Sequence, residues 1–186
     1  MGIYQPAEDS YLFASFLKKY LSTPLPNTHY PTPTSLSSIK MLDMGTGSGI
    51  LSETASKFLN KKNITPVDIN PESVKLLKKK KYKAIKSDLF KNIKNKYDLI
   101  TFNAPYLPQD KREPKNSQIA TTGGERGDEI SIKFLRQAKK HLNKNGKIFL
   151  LISSLTPTNR IKKYNPKIVA RKKIFMEELF ILEFNN

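Results

Sequence analysis

The chain contains no cysteine and only two histidines, His29 and His141. Without thiols there is neither a disulfide framework nor a thiolate metal site, and two histidines leave too few nitrogen ligands for a zinc centre. No metal is expected. Also missing is any run of about 18 apolar residues, the length a membrane-spanning helix needs. Residues 1–10 show no basic region leading into an apolar run, so no secretory signal is expected and a cytoplasmic location is. Arginine is scarce, 5 residues against 28 lysines, within a net charge of +17. Such a field attracts nucleic acid, ribosomes or acidic proteins. Scattered arginines do not make the bidentate grip that base or phosphate recognition favours, and a lysine-rich surface also follows from genome composition or growth at high temperature.

What is present suits one domain over residues 1–186, long enough for a full core and too short for two. A leading helix occupies residues 1–21, where Leu12, Phe13, Phe16, Leu17 and Leu21 recur at three and four over residues 10–20, with Asp9 or Ser10 as its cap. Residues 22–38, with Pro24, Pro26, Pro31 and Pro33, form a loop. The core sheet fills residues 39–186. Strands are expected at 39–44, 64–69, 82–87, 97–102 and 147–153, with a tight hairpin from 167–175 and 178–184. Helices are expected after Gly49, from Pro71 to about residue 80, and over 128–142, the last ended by Asn145 and Gly146 as a C-cap. Strands alternating with helices and closing on a hairpin give an α/β fold. It has a seven-stranded, mostly parallel sheet with a C-terminal antiparallel hairpin and helices on both faces.

Chemistry-bearing residues gather at the strand ends. The first strand runs into Asp43, Met44, Gly45, Thr46, Gly47, Ser48 and Gly49. These glycines let a ligand approach the backbone, but the third falls one position early for a dinucleotide fingerprint. The Asp43 charge would repel a pyrophosphate and welcome a cationic amine, as in S-adenosylmethionine. Asp68 ends the second strand, where a carboxylate takes both hydroxyls of a ribose. Asp88 ends the third, where it either accepts from an adenine amino group, with Leu89 on the ring, or caps a helix. Asn103, Ala104, Pro105 and Tyr106 end the fourth. There the Asn103 amide oxygen and the Ala104 carbonyl would accept the two N–H groups of a planar amide or amine. Pro105 restrains Ala104, and the Tyr106 ring packs on the acceptor. Alone, this tetrad also reads as an ordinary turn. Gly123, Gly124 and Gly127 read either as a hinge over the site or as a lead-in to the next helix.

Together these residues resemble the class I S-adenosylmethionine-dependent methyltransferases, with a Rossmann-like fold, and among them the HemK-like protein N5-glutamine methyltransferases. Asn103 to Tyr106 is similar to that family's Asn-Pro-Pro-Tyr motif. Tyr4, Pro6, Glu8, Asp9 and Ser10 resemble the opening of its short archaeal and eukaryotic branch, which lacks the N-terminal helical domain. The resemblance implies that Ser10, Asp43, Gly45, Gly47, Asp68, Ile69, Asp88, Leu89 and Asn103 surround S-adenosyl-L-methionine. Asn103, Ala104, Pro105 and Tyr106 would hold the acceptor, the glutamine of a Gly-Gly-Gln loop in a class I translation release factor. It implies a small zinc-binding activator as heterodimer partner at the third strand, with the zinc on the partner's side, and leaves room for RNA or ribosome contact through the basic surface. Two departures stand out. Ala104 replaces the motif's first proline and keeps the carbonyl at a cost of about 1 kcal/mol or less in rigidity, and the segment over residues 156–164 is short. An amino-methylating enzyme for tRNA, rRNA or DNA, a protein-lysine methyltransferase, and a non-catalytic cofactor-binding scaffold are the alternatives.

Overall fold

A computed structural model describes residues 2–23, 36–110, 112 and 121–185; the prolines of the 22–38 loop, His29 and residues 113–120 lie outside it. Seven strands form one sheet: Met41–Met44 (β1), Ile64–Asp68 (β2), Ile85–Lys86 (β3), Tyr97–Asn103 (β4), Leu142–Ser153 (β5), Lys167–Lys173 (β6) and Glu178–Asn185 (β7). Their order is β3-β2-β1-β4-β5-β7-β6, with the first five parallel and β7 antiparallel to both neighbours.

Period-two alternation sorts the strand side chains onto two cores. Leu42, Met44, Ile100, Phe102, Ile148 and Leu150 face one side, where helix Glu129–Ala138 (α4) brings Ile132, Phe134 and Leu135. Met41, Leu99, Phe149, Leu151 and Ile181 face the other. That side is covered by Glu8–Ser22 (α1), Ile50–Ala55 (α2) and Pro71–Lys79 (α3) through Phe13, Leu17, Leu51, Val74 and Leu77. Both faces of a parallel sheet must be covered, which explains the near-continuous apolar run of β5.

Four expectations change in detail. The cap of α1 is Ala7, which makes no side-chain bond, and Asp9 and Ser10 are buried inside the first turn. The third strand shrinks to two residues because Lys81 turns left-handed (φ 63°) after α3, and Tyr82 and Ala84 are buried in the core before Ile85 pairs with Val67. Helix α4 stops at Ala138 and tightens into a 3-10 turn over Lys139–His141. Leu142 already pairs with Tyr97, so Asn145 (φ 68°) and Gly146 sit in a bulge of β5 and do not cap the helix. Gly123 stands as a lead-in to α4: its carbonyl accepts from the Ile130 N–H and its own N–H donates to the Leu107 carbonyl, and a β-carbon there would lie 2.1 Å from the Gly127 carbonyl oxygen.

Candidate active site

In this strand order β2 and β3 are added on one side of β1 while β4 and β5 continue on the other, all parallel, and an open α/β sheet leaves a crevice at that switch, outside the C-terminal strand ends. The end of β1 leads into the glycine loop there, and β4 delivers Asn103 beside it. The cleft has a volume of about 560 Å3 and is lined by Ser10, Asp43, Gly45, Gly47, Asp68, Ile69, Asp88, Leu89, Asn103, Ala104 and Pro105 among others. The tertiary structure therefore gathers almost all the residues singled out above; Tyr106 is outside the lining and packs, half-buried, against the core on the α1 side of the sheet.

The glycine loop is built around a buried acid. Asp43 Oδ2 accepts from the Thr46 hydroxyl (2.7 Å), the Ser52 hydroxyl (2.6 Å) and the Ser52 N–H (3.1 Å), and Oδ1 accepts from the Thr101 hydroxyl (3.2 Å). Helix α2 has no side-chain cap of its own at Gly49, so Asp43 satisfies one of its first-turn donors from the neighbouring strand. Burial raises the Asp43 pKa and those donors oppose the rise. Both carboxylate oxygens thus hold the loop in shape. The first loop glycine, Gly45, is left-handed (φ 62°), and a β-carbon on it would meet the Phe102 ring at 2.9 Å. At the end of β2, Asp68 accepts from the N–H groups of Gly47 and Asn70, each at 2.8 Å. Its pKa is likewise raised by burial against those bonds.

Asn103 is oriented from behind. Its Nδ2 donates to Asp9 Oδ2 (3.1 Å) and lies 3.4 Å from Ser10 Oγ. An ionised carboxylate only accepts, so the amide nitrogen must face Asp9 and the oxygen must face the other way. That Oδ1 is buried and has no hydrogen-bond partner among the described residues. Buried acceptors are almost always satisfied, so a lone one lining a cleft marks a ligand position. The backbone of the Asn103–Tyr106 tetrad, expected above to clamp an acceptor, is pinned: Tyr106 and Leu107 donate to the Thr121 carbonyl, and the Tyr106 carbonyl accepts from Thr156 Oγ1 at 3.1 Å. Burial raises the Tyr106 phenol pKa further above its ordinary value, helped by the charges of Asp9 and Glu177, so the ring stays neutral.

The chain matches the family described as "Methyltransferase small domain" over residues 27–176. It belongs to that family. A Methanocaldococcus jannaschii protein provisionally named a protein N5-glutamine methyltransferase is 34% identical over 97% of this chain and 90% of its own length. A release factor glutamine methyltransferase of Borreliella burgdorferi is 35% identical over 60% of this chain, which spans only 43% of that relative. In fold, the chain resembles the ribosomal protein L11 methylase of Lactobacillus delbrueckii (TM-score 0.65, 18% identity, all of this chain and 82% of that one). It also resembles a Thermus thermophilus 16S rRNA methyltransferase solved with AdoMet and guanosine (TM-score 0.64, 18% identity, 98% of this chain and 44% of that one). The fold is that of the Rossmann-like class I methyltransferases.

Two features of this methyltransferase were not legible as site residues. Asp9, expected only as a helix cap, lines the cleft, and Tyr4 joins it by donating to both Asp9 oxygens at 3.2 Å. The signal was present in the spacing of Tyr4, Asp9 and Ser10, but nothing local says that α1 docks its N-terminus against β4. Of the two expectations for Asp88, the helix cap is not formed: its half-exposed carboxylate is held by Lys133 Nζ at 3.0 and 3.1 Å, and both residues line the rim. Among the described residues, no helix is long and apolar enough to cross a membrane.

One further pair supports the site from the short 156–164 segment. Arg160 forks onto the fully buried Asp128 at the N-terminus of α4, with Nε at 2.7 Å from Oδ2 and Nη2 on Oδ1. The hydrogen bonds from Arg160 lower the Asp128 pKa. A depressed carboxylate stabilises the fold above the unfolded-state pKa of about 3.9 and loses that contribution as pH falls through its folded-state value. Arg160→Ala should therefore unfold at lower denaturant than wild type at pH 7. The gap should close as the pH drops below about 4, which equilibrium urea unfolding at a series of pH values will measure.

Proposed function

We propose that this chain is an S-adenosylmethionine-dependent methyltransferase that transfers a methyl group to the side-chain amide of glutamine, in the Gly-Gly-Gln loop of a class I translation release factor. The observation that carries the reading is the buried, unpartnered Oδ1 of Asn103, a cleft-lining residue whose amide nitrogen is held on the far side by Asp9. The names of the two curated relatives support the acceptor class. The cleft fits the cofactor. Its volume lies within the roughly 300–1,000 Å3 of small-molecule sites, its glycine loop offers bare backbone, and Asp68 and Ile69 stand where a ribose and a base would be held. Ser10, Gly45, Gly47, Asp88 and Leu89 complete the enclosure, while Asp43 keeps the loop formed.

S-adenosylmethionine would supply an electrophilic methyl on a sulfonium and leave as a neutral thioether, the amide nitrogen giving up one proton to water. The chain supplies position and electron density. An amide nitrogen is a weak nucleophile because its lone pair is delocalised into the carbonyl. Two acceptors, Asn103 Oδ1 and the Ala104 carbonyl, each take one of its N–H groups, which orients the nitrogen and places partial negative charge beside the positive charge that develops on it. Pro105 restrains the backbone conformation of Ala104. A small zinc-binding activator is consistent with this assignment, docking at the two-residue edge strand β3.

A second reading has one specific observation in its favour. Lys75, Lys78, Lys79 and Lys86 line a shallow groove between α3 and β3 and make no ion pair among the described residues, a site suited to phosphates. Methyl transfer from labelled cofactor to purified release factor and to total RNA in parallel, with and without the activator, separates the two. Label on the factor's glutamine supports the proposal, and label on RNA alone overturns it.

A further inference from the structure

The hairpin joining β6 to β7 ends on the same edge of the sheet as the clamp, because Lys173 pairs with Glu178 and Ser153, at the C-terminal end of parallel β5, pairs with Leu179. The Ile174 N–H donates to the Glu177 carbonyl, leaving Phe175 and Met176 as a two-residue tip. Such tips normally hold glycine, asparagine or aspartate. Here they hold two large apolar side chains, 97% and 78% exposed. A folded protein has no internal reason to place them there. A third exposed apolar residue, Leu155, is 49% exposed in the adjoining turn, whose Ser154 N–H donates to the Glu178 carbonyl at 2.7 Å.

This tip is tied to the acceptor clamp by a continuous chain of contacts. Glu177 accepts from the Ser153 hydroxyl, the Ser153 N–H donates to Thr156 Oγ1 (3.2 Å), and Thr156 donates to the Tyr106 carbonyl (3.1 Å). On the other flank, Lys172 of β6 pairs with Glu8 in the first turn of α1, one residue before the Asp9 that orients Asn103.

We propose that Phe175 and Met176, with Leu155, form an apolar rim that seats the folded protein surface flanking the acceptor glutamine. The proposal rests on the functional reading above and deepens it by assigning the surface that selects a protein acceptor. Apolar side chains grouped on a surface mark protein contact sites, and aromatic anchors dominate the energetics of such contacts. Of the three only Phe175 has a face on which a base stacks, whereas Met176 and Leu155 offer aliphatic contact alone; of the cations beside the tip, Lys172 is paired with Glu8 and Lys173 stands opposite Glu178, so the occupant is protein. The lysine groove lies at the opposite edge of the sheet, on β3, and is a separate surface.

The test is the double variant Phe175→Ser with Met176→Ser, whose exposed positions leave the fold and the cofactor cleft intact. Thermal unfolding and calorimetry with S-adenosylmethionine should match wild type. With purified release factor the KM should rise about tenfold or more with kcat unchanged. With a peptide of about ten residues around the Gly-Gly-Gln sequence, too short to reach the rim, the variant and wild type should be alike. An unchanged KM on the intact factor beside an active wild type overturns the rim alone, and so does an equal loss on the peptide. A wild-type enzyme that leaves the release factor unmethylated overturns the functional reading and the rim with it.

Discussion

Asn103→Ala should lower kcat by about a thousandfold or more while the affinity for S-adenosylmethionine falls only a fewfold. Removing one preorganised hydrogen-bonding group that acts on developing charge costs roughly 10² to 10³ in kcat. Here the same group also orients the nucleophile, and losing alignment adds to the loss. The effect on the cofactor is small because Asn103 contributes one wall of a cleft whose other walls are Asp68, Ile69 and the glycine loop. Single-turnover transfer and calorimetry on the same variant separate the two effects. Full activity in the variant would sink the clamp mechanism. Stability is a useful internal control: the substitution removes a buried acceptor with no partner among the described residues, so unfolding should shift little, and any change should come from the donor given up to Asp9.

Asp43→Ala should be the most damaging single change to the fold at this site, at about 2–4 kcal/mol. Four hydrogen bonds converge on that carboxylate from three residues on three elements, the loop, α2 and β4. The hydroxyls of Thr46, Ser52 and Thr101 can rotate toward other acceptors. The Ser52 N–H cannot, and α2 has no other side-chain cap. Urea unfolding should show a lower midpoint with an unchanged slope, and cofactor affinity should fall because the loop loses its shape. Asp43→Asn keeps one acceptor oxygen and should fall between wild type and alanine. A wild-type midpoint in Asp43→Ala would mean that the loop is held by something other than this acid.

Much of the architecture follows from patterns that are local in the chain. The four strand-end motifs and the helices between them are legible because periodicity of two or 3.6, proline at the first turn of α3 and glycine after β1 act over a few residues. The same holds for the reversed strand β7, since a hairpin needs only a tight turn between two apolar runs. Where expectations missed, the deciding interaction was remote. Asn145 and Gly146 look like a helix cap, but Leu142 is claimed by Tyr97 of β4 through strand pairing. Asp88 looks like a possible helix cap, but its carboxylate is taken by Lys133, 45 residues away, at the rim of the cleft.

The acceptor tetrad from Asn103 to Tyr106 shows the division most clearly. Its residue types, its place after an apolar strand and its company of strand-end acids are properties of the sequence alone, because a strand's end and a proline's restraint are set by neighbouring residues. Which way the Asn103 amide points is a tertiary fact. It depends on Asp9, 94 residues earlier, arriving on a helix whose apolar face packs on the same sheet. Only that long-range docking puts an acceptor-only group behind the amide nitrogen and leaves the oxygen turned away from it, without a partner among the described residues.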